Sequence, residues 1–142
     1  MTLYGETSAI LRWLFAESGA DEILELLRGA GKVVCSRLTI IESHRVIRRV
    51  VTLGDLVETD AVDVRSILAQ AAARWAMFEI SPEVGRRAEE AFPVEPVRTL
   101  DALHLATALV LRQAIPDLRM LSTDARVREN AVALGFDVLP AE

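Results

Sequence analysis

Four acidic residues occupy positions at which a carboxylate is either placed for chemistry or costly to bury. Glu6 and Asp124 each come directly after a short apolar run that is typical of a β-strand. Glu42 and Asp101 interrupt the apolar faces of two helical patterns, where an acid is unfavourable unless it is paired or binds a cation. Four converging acids would repel one another, and a divalent ion would relieve that repulsion. Their oxygens suit Mg²⁺ or Mn²⁺, so the four positions together indicate a divalent-metal site.

Each acid taken singly also has a structural explanation. Asp124 is placed to cap the helix that follows it. Asp101 lies in the first turn of its helix, where a negative charge is favourable. Glu42 has Arg45 one turn later as a possible ion-pair partner, and Glu6 fits the solvated start of a helix. The metal-site hypothesis therefore depends on the combination of the four positions.

The residue inventory argues against several other kinds of site. Cys35 is the only cysteine, so neither an intrachain disulfide nor a thiolate zinc site is expected. The sequence contains no HExxH motif and no G-x-x-x-x-G-K motif. A phosphotransfer receiver or a haloacid-dehalogenase-type phosphatase also places an aspartate after a strand, but needs a lysine further along the chain. Lys32, the only lysine, precedes the second predicted strand and is poorly placed for that role.

Composition indicates one folded domain. The chain has 142 residues, of which 51% are hydrophobic and 26% charged. With 16 basic and 21 acidic residues the net charge is -5, which excludes nucleic-acid binding through bulk charge alone. The N-terminal residues lack the basic region of a signal peptide, and no apolar run of about 18 residues is present. The cytoplasm is the expected location, with no membrane partner.

The acids must be positioned by an alternation of short apolar runs and longer helical patterns. The predicted strands are residues 3–4, 33–36, 76–80, 118–121 and 137–139. The predicted helices are residues 9–17, 21–28, 37–53, 61–74, 82–91, 99–113 and 124–134, with Thr7 and Ser8 as candidate caps of the first. This alternation predicts an α/β fold with a largely parallel sheet and right-handed crossovers. Ligands in such folds bind beyond the carboxyl ends of the strands.

The segments around the four acids resemble those of PIN-domain ribonucleases, specifically the VapC-type toxins of bacterial toxin–antitoxin pairs. The resemblance rests on YGETSA at 4–9, SRLTIIE at 36–42, LDALHLATA at 100–108, LSTD at 121–124 and AVALGFDVLP at 131–140. Their order and spacing extend over essentially the whole chain. The resemblance implies a single three-layer α/β/α domain over residues 1–142, with a central, mostly parallel sheet of four to five strands.

The resemblance also implies an activity, metal-dependent endonuclease cleavage of RNA with one or two Mg²⁺ or Mn²⁺ ions. By position, the four acids of the family correspond here to Glu6, Glu42, Asp101 and Asp124. Glu6 and Asp101 are the most direct metal ligands on this basis, and Ser8 and Ser122 match the hydroxyl residues that support the acids. The expected partners are the RNA substrate, a second copy of the chain and a cognate antitoxin whose C-terminal segment blocks the site.

Basic residues near the acids are candidates for RNA phosphate contacts. Arg45, Arg48 and Arg49 follow Glu42 on its predicted helix, and Arg126 follows the fourth acid. A solvated helix face explains the same pattern. His104 shares a helix face with the third acid, and we interpret it as a structural residue.

The first acid departs from the family pattern. The family normally has an aspartate preceded by an apolar residue, whereas this chain has Gly5 and Glu6. The extra methylene moves the carboxylate by about 1 Å or more. A misplacement of this size lowers the reaction rate by about 100-fold in other enzymes. The sequence therefore leaves open an alternative function, a weakened or inactive PIN-like binding module that acts through an antitoxin-type partner.

Overall fold

A sheet of parallel strands forms the centre of the molecule. The computed structural model describes residues 1–141, and its strands are β1 (Thr2–Gly5), β2 (Lys32–Ser36), β3 (Ala76–Phe78), β4 (Leu118–Leu121) and β5 (Val138–Leu139). Their order across the sheet is β3-β2-β1-β4-β5, and all neighbouring strands are parallel. The strands β2 and β3, which come first after β1 in the chain, lie on one side of β1, and β4 and β5 lie on the other side. The strand order therefore reverses between β1 and β4, which is where α/β folds place their ligands.

Helices cover both faces of the sheet, which confirms the predicted three-layer α/β/α architecture. The helices are α1 (Thr7–Leu14), α2 (Ala20–Gly29), α3 (Arg37–Thr52), α4 (Glu58–Ala72), α5 (Pro82–Glu89), α6 (Thr99–Arg112) and α7 (Ala125–Ala133). Along residues 1–141, none of them is both long and apolar enough to cross a membrane.

The core follows from the two-residue period of the strands. Tyr4 and Met120 point to the face covered by α6 and α7, where they pack with Leu105. Their strand neighbours Leu3 and Leu121 point to the opposite face, against α1 and α2. Because β1 and β4 are central strands packed on both faces, their carboxyl ends are held in place by the core. We call the side of the sheet where the strands end its carboxyl edge.

The start of α1 differs from the prediction. Thr7 and Ser8 were expected to cap a helix over residues 9–17, but the helix begins at Thr7 and its cap is Glu6. The Glu6 carboxylate accepts a hydrogen bond from the backbone N–H of Ser8, so the first acid satisfies a helix end that a hydroxyl was expected to satisfy. The prediction also placed the end of this helix three residues too late, because Ala16 adopts a positive φ of 50°.

Candidate active site at the carboxyl edge of the sheet

Two neighbouring strand ends and two helices bring the four acids to one edge of the sheet. Glu6 follows β1 directly, and its backbone N–H donates to the carbonyl of Leu121 at the end of β4 (3.0 Å). Asp124 follows β4 and begins α7. The hydroxyl of Thr39 in α3 donates to the carbonyl of Gly5 (2.8 Å), which holds the helix of the second acid against β1. Hydrogen bonds to the backbone carbonyls of β1 and β4 therefore hold these elements together at this edge.

Glu6 is a buried acid surrounded by serine donors. Its side chain is 4% exposed and accepts hydrogen bonds from the Ser8 N–H (2.8 Å), from the Ser8 hydroxyl and from the Ser122 hydroxyl (3.1 Å). Burial raises the pKa of Glu6, while the charge of His104 and the serine bonds oppose the increase. Both predicted supporting serines thus contact this acid, and its Oε2 atom is fully engaged by protein donors.

Glu42 is held by a histidine and a threonine. Its Oε1 atom accepts hydrogen bonds from His104 Nε2 (2.5 Å) and from the Thr7 hydroxyl (2.7 Å), and the side chain is 24% exposed. Burial acts to raise the pKa of Glu42, but the hydrogen bond and charge of His104 outweigh it, so the pKa is lowered. Glu42 thus pairs with His104 and not with Arg45, the partner that the sequence offered. The lowered pKa favours an ionised Glu42, and both of its hydrogen bonds end on the same oxygen.

Asp101 and Asp124 line one cleft, which we call the acid cleft; its polar lining residues are Arg98, Asp101, Asp124, Arg126 and Glu129. Burial raises the pKa of Asp101, and the negative charges of Asp124 and Glu42 raise it further. Asp124 is also the cap of α7, because its Oδ1 atom accepts a hydrogen bond from the Val127 N–H (3.0 Å). Its capping role and its position in the cleft therefore coexist.

The donor chemistry of the acid cleft fits a divalent cation. Asp101 and Asp124 offer hard oxygen donors, and a cation between them would relieve the repulsion that adds to the effect of burial on the pKa of Asp101. Within residues 1–141, however, no group of three or more histidine, cysteine, aspartate or glutamate side chains is arranged to hold a metal ion. Glu6 and Glu42 each give an oxygen to protein donors instead. The four-carboxylate metal site remains a prediction.

The predicted arginines occupy two different surfaces. Arg126 lines the acid cleft and lies 3.7 Å from Glu129. Arg45, Arg48 and Arg49 are exposed on α3 and do not line the cleft.

Sequence reasoning missed two residues of the site. Arg98, at the start of α6, lines the acid cleft and its charge lowers the pKa of Asp101. His104 was interpreted as structural, and its contact with Glu42 was not foreseen. The available signal for His104 was its position one helical turn after Asp101. No pattern in the sequence singled out Arg98.

Known proteins resemble nearly the whole chain. The sequence profile of the PIN domain matches residues 4–133. The ribonuclease VapC35 of Mycobacterium tuberculosis is 33% identical over 139 residues, which are 96% of this chain and 95% of that protein. A toxin–antitoxin complex from Klebsiella pneumoniae contains a chain of the same fold, with a TM-score of 0.66 at 16% identity over 100% of this chain and 99% of that one. VapBC2 from Rickettsia felis, bound to a DNA fragment from its promoter, has the same fold with a TM-score of 0.64 at 11% identity, over 97% of this chain and 97% of that one.

Proposed function

The chain belongs to the PIN-domain family, among the VapC-type ribonucleases, and on this premise we propose that it is a divalent-metal-dependent endoribonuclease acting as the toxin of a toxin–antitoxin pair. The observation that carries the proposal is the acid cleft. Asp101 and Asp124 line the same cleft at the switch point of the sheet, where burial and then the negative charge of Asp124 raise the pKa of Asp101. Such a pair is unfavourable without a cation and well suited to binding one.

Four carboxylates of this chain would hold one or two Mg²⁺ or Mn²⁺ ions. Asp101 and Asp124 face the cleft, and Glu42 contributes the Oε2 atom that no donor in residues 1–141 engages. Glu6 supports the same edge from the end of β1. When bound, such an ion lowers the pKa of a water molecule and neutralises charge on a phosphate.

The protein's own contribution is rigid placement of these oxygens. Asp124 is fixed by the N–H of Val127, and Glu6 by Ser8 and Ser122. Side chains held by hydrogen bonds and buried backbone lose little freedom when a substrate binds, which lowers the cost of reaching the reactive geometry. Ser8 and Ser122 therefore act by holding Glu6.

RNA is the proposed substrate, and basic residues beside the cleft are its proposed phosphate contacts. Arg126 and Arg98 line the cleft and lie next to the acids. Arg45, Arg48 and Arg49 extend a basic surface along α3, where a longer RNA segment would lie. Contacts of this kind give affinity that falls as salt concentration rises.

The remaining features of the proposal concern the assembly. We infer a single domain over residues 1–142 that forms a homodimer in the cytoplasm and is held inactive by a cognate antitoxin. The name of VapC35 supports ribonuclease activity, and the Klebsiella pneumoniae complex supports an antitoxin partner for a protein of this fold.

A second candidate function is a metal-free binding module that acts through an antitoxin-type partner. Two observations favour it. Glu6 stands in place of the usual aspartate, and its carboxylate accepts hydrogen bonds from serines. Residues 1–141 also contain no group of three or more histidine, cysteine, aspartate or glutamate side chains arranged to hold a metal ion.

Metal-dependent cleavage separates the two candidates. Purified chain is incubated with total cellular RNA in Mn²⁺, in Mg²⁺ and in excess EDTA, and the products are resolved by electrophoresis. We expect discrete fragments with either ion and none with EDTA. Fragments that persist in EDTA would contradict metal dependence, and intact RNA under all conditions would favour the binding module.

A further inference from the structure

His104 lies at the centre of a chain of polar side chains, and the proposed function gives a role to only one of its members, Glu42. His104 is 1% exposed, and Tyr4 and Thr7 are also buried. The imidazole Nδ1 atom lies 2.8 Å from the Tyr4 hydroxyl, and Nε2 lies 2.5 Å from Glu42 Oε1 and 3.1 Å from the Thr7 hydroxyl. The contacts join β1, α1, α3 and α6. These are the elements that end at, or carry, three of the four acids.

The partners determine where the ring carries its proton. A carboxylate only accepts, so the hydrogen bond to Glu42 requires a hydrogen on Nε2. Burial raises the pKa of Tyr4 well above its ordinary value, so its hydroxyl keeps its proton and can donate to a bare Nδ1. If both ring nitrogens are protonated, Nδ1–H donates to the Tyr4 oxygen instead. In both protonation states Nε2–H donates to Glu42.

The contact leaves one oxygen of Glu42 for the site. The bonds from His104 and Thr7 both end on Oε1, and no residue of the described chain donates to Oε2. A side chain that is 24% exposed and anchored through one oxygen presents the other in a fixed direction. Groups that orient a ligand in this way commonly change metal affinity or activity by about 10- to 100-fold when removed.

We propose that His104 is a positioning residue, which holds the Glu42 carboxylate in place through Nε2–H while Tyr4 fixes the far side of the ring. The inference rests on the proposed function, because the carboxylate it positions is one of the four acids of that site. It differs from a core-packing role because it depends on the hydrogen-bond donor at Nε2, which shares Glu42 Oε1 with the Thr7 hydroxyl. A side chain that places a donor where Nε2 lies should therefore substitute for histidine.

Two amide variants test this dependence on one atom. In His104→Gln the side-chain amide nitrogen can reach the position of Nε2, and in His104→Asn it reaches only the position of Nδ1. We expect kcat for RNA cleavage to fall about 10- to 100-fold in His104→Asn, with KM within about 3-fold, and to stay within about 5-fold in His104→Gln. Melting temperatures confirm that both variants are folded. Equal kcat values for the two variants would overturn the proposal.

A measurement on the unaltered chain tests the role of His104 without relying on RNA cleavage. The sequence has two histidines, so ¹⁵N-histidine labelling with long-range ¹H–¹⁵N correlation resolves both rings in metal-free protein. We expect Nε2 of His104 to be protonated at pH 7, and a bare Nε2 would overturn the proposal.

If the unaltered chain cleaves no RNA, the proposed function fails. Mn²⁺ affinity then replaces kcat, with 10- to 100-fold weaker binding expected in His104→Asn only; equal affinities, or no binding by any variant, overturn the inference.

Discussion

Replacing Asp101 by asparagine is expected to lower kcat/KM for RNA cleavage by roughly 100- to 1000-fold without unfolding the domain. A bound cation stabilises transition-state charge by several kcal/mol, and about 3–4 kcal/mol corresponds to this loss of rate. The melting temperature should stay equal or rise. Because the pKa of Asp101 is raised in the folded chain, its ionisation at pH 7 disfavours folding, and asparagine cannot ionise.

The control for Asp101→Asn is Asp63→Asn. Asp63 is an exposed helical aspartate on α4, so the same chemical change there should leave cleavage and melting temperature nearly unaltered. Cleavage by both variants and by the unaltered chain is measured in the same Mn²⁺ buffer. Melting temperatures are compared in metal-free buffer, where ion binding does not stabilise the unaltered chain. Cleavage by Asp101→Asn within about 3-fold of the unaltered chain would remove Asp101 from the proposed site.

Shortening the first acid, Glu6→Asp, is expected to slow cleavage by about 10- to 100-fold. Although the family pattern has an aspartate here, the surroundings in this chain suit the longer side chain. The Glu6 carboxylate accepts bonds from the Ser8 N–H and from the Ser8 and Ser122 hydroxyls. Removing one methylene withdraws the carboxylate by about 1 Å, and misplacement of that size carries losses of this order.

Glu89→Asp provides the matched control for Glu6→Asp, since Glu89 is exposed at the end of α5 and does not line the acid cleft. Initial cleavage rates are measured for both variants at saturating Mn²⁺. Faster cleavage by Glu6→Asp than by the unaltered chain would mean that Glu6 weakens an otherwise sound site. That outcome would support the second candidate function for the natural sequence.

The fold was largely predictable because its signals are local. Apolar runs bounded by polar residues marked the strands, and the alternation with helices determined the parallel sheet. Two of the errors lie at the starts of helices. Glu6 fits either a metal ligand or the solvated start of a helix; it does stand at the start of α1, but it is buried and caps the helix, which therefore begins at Thr7. The start of α4 was placed at residue 61, although Glu58 and Asp60 already form its acidic first turn.

The site was predictable only as a set of acids. Their positions after strands and within apolar faces are visible in the sequence, but their hydrogen-bond partners are not. The contact between His104 and Glu42 joins residues far apart in the chain and depends on how α3 and α6 pack around β1. Arg98 was missed for a similar reason, because only the packing of α6 beside α7 brings it to the acid cleft.

The central claim is that the acid cleft binds a divalent ion, and anomalous diffraction from crystals grown with Mn²⁺ tests it most directly. The account predicts an anomalous peak in contact with the carboxylates of Asp101 and Asp124, at about the 2.0–2.2 Å expected for a small divalent ion and its oxygen ligands. The same peak should be absent from crystals of Asp101→Asn. A map without a peak in the cleft at millimolar Mn²⁺, or with its only peak elsewhere, would contradict the claim.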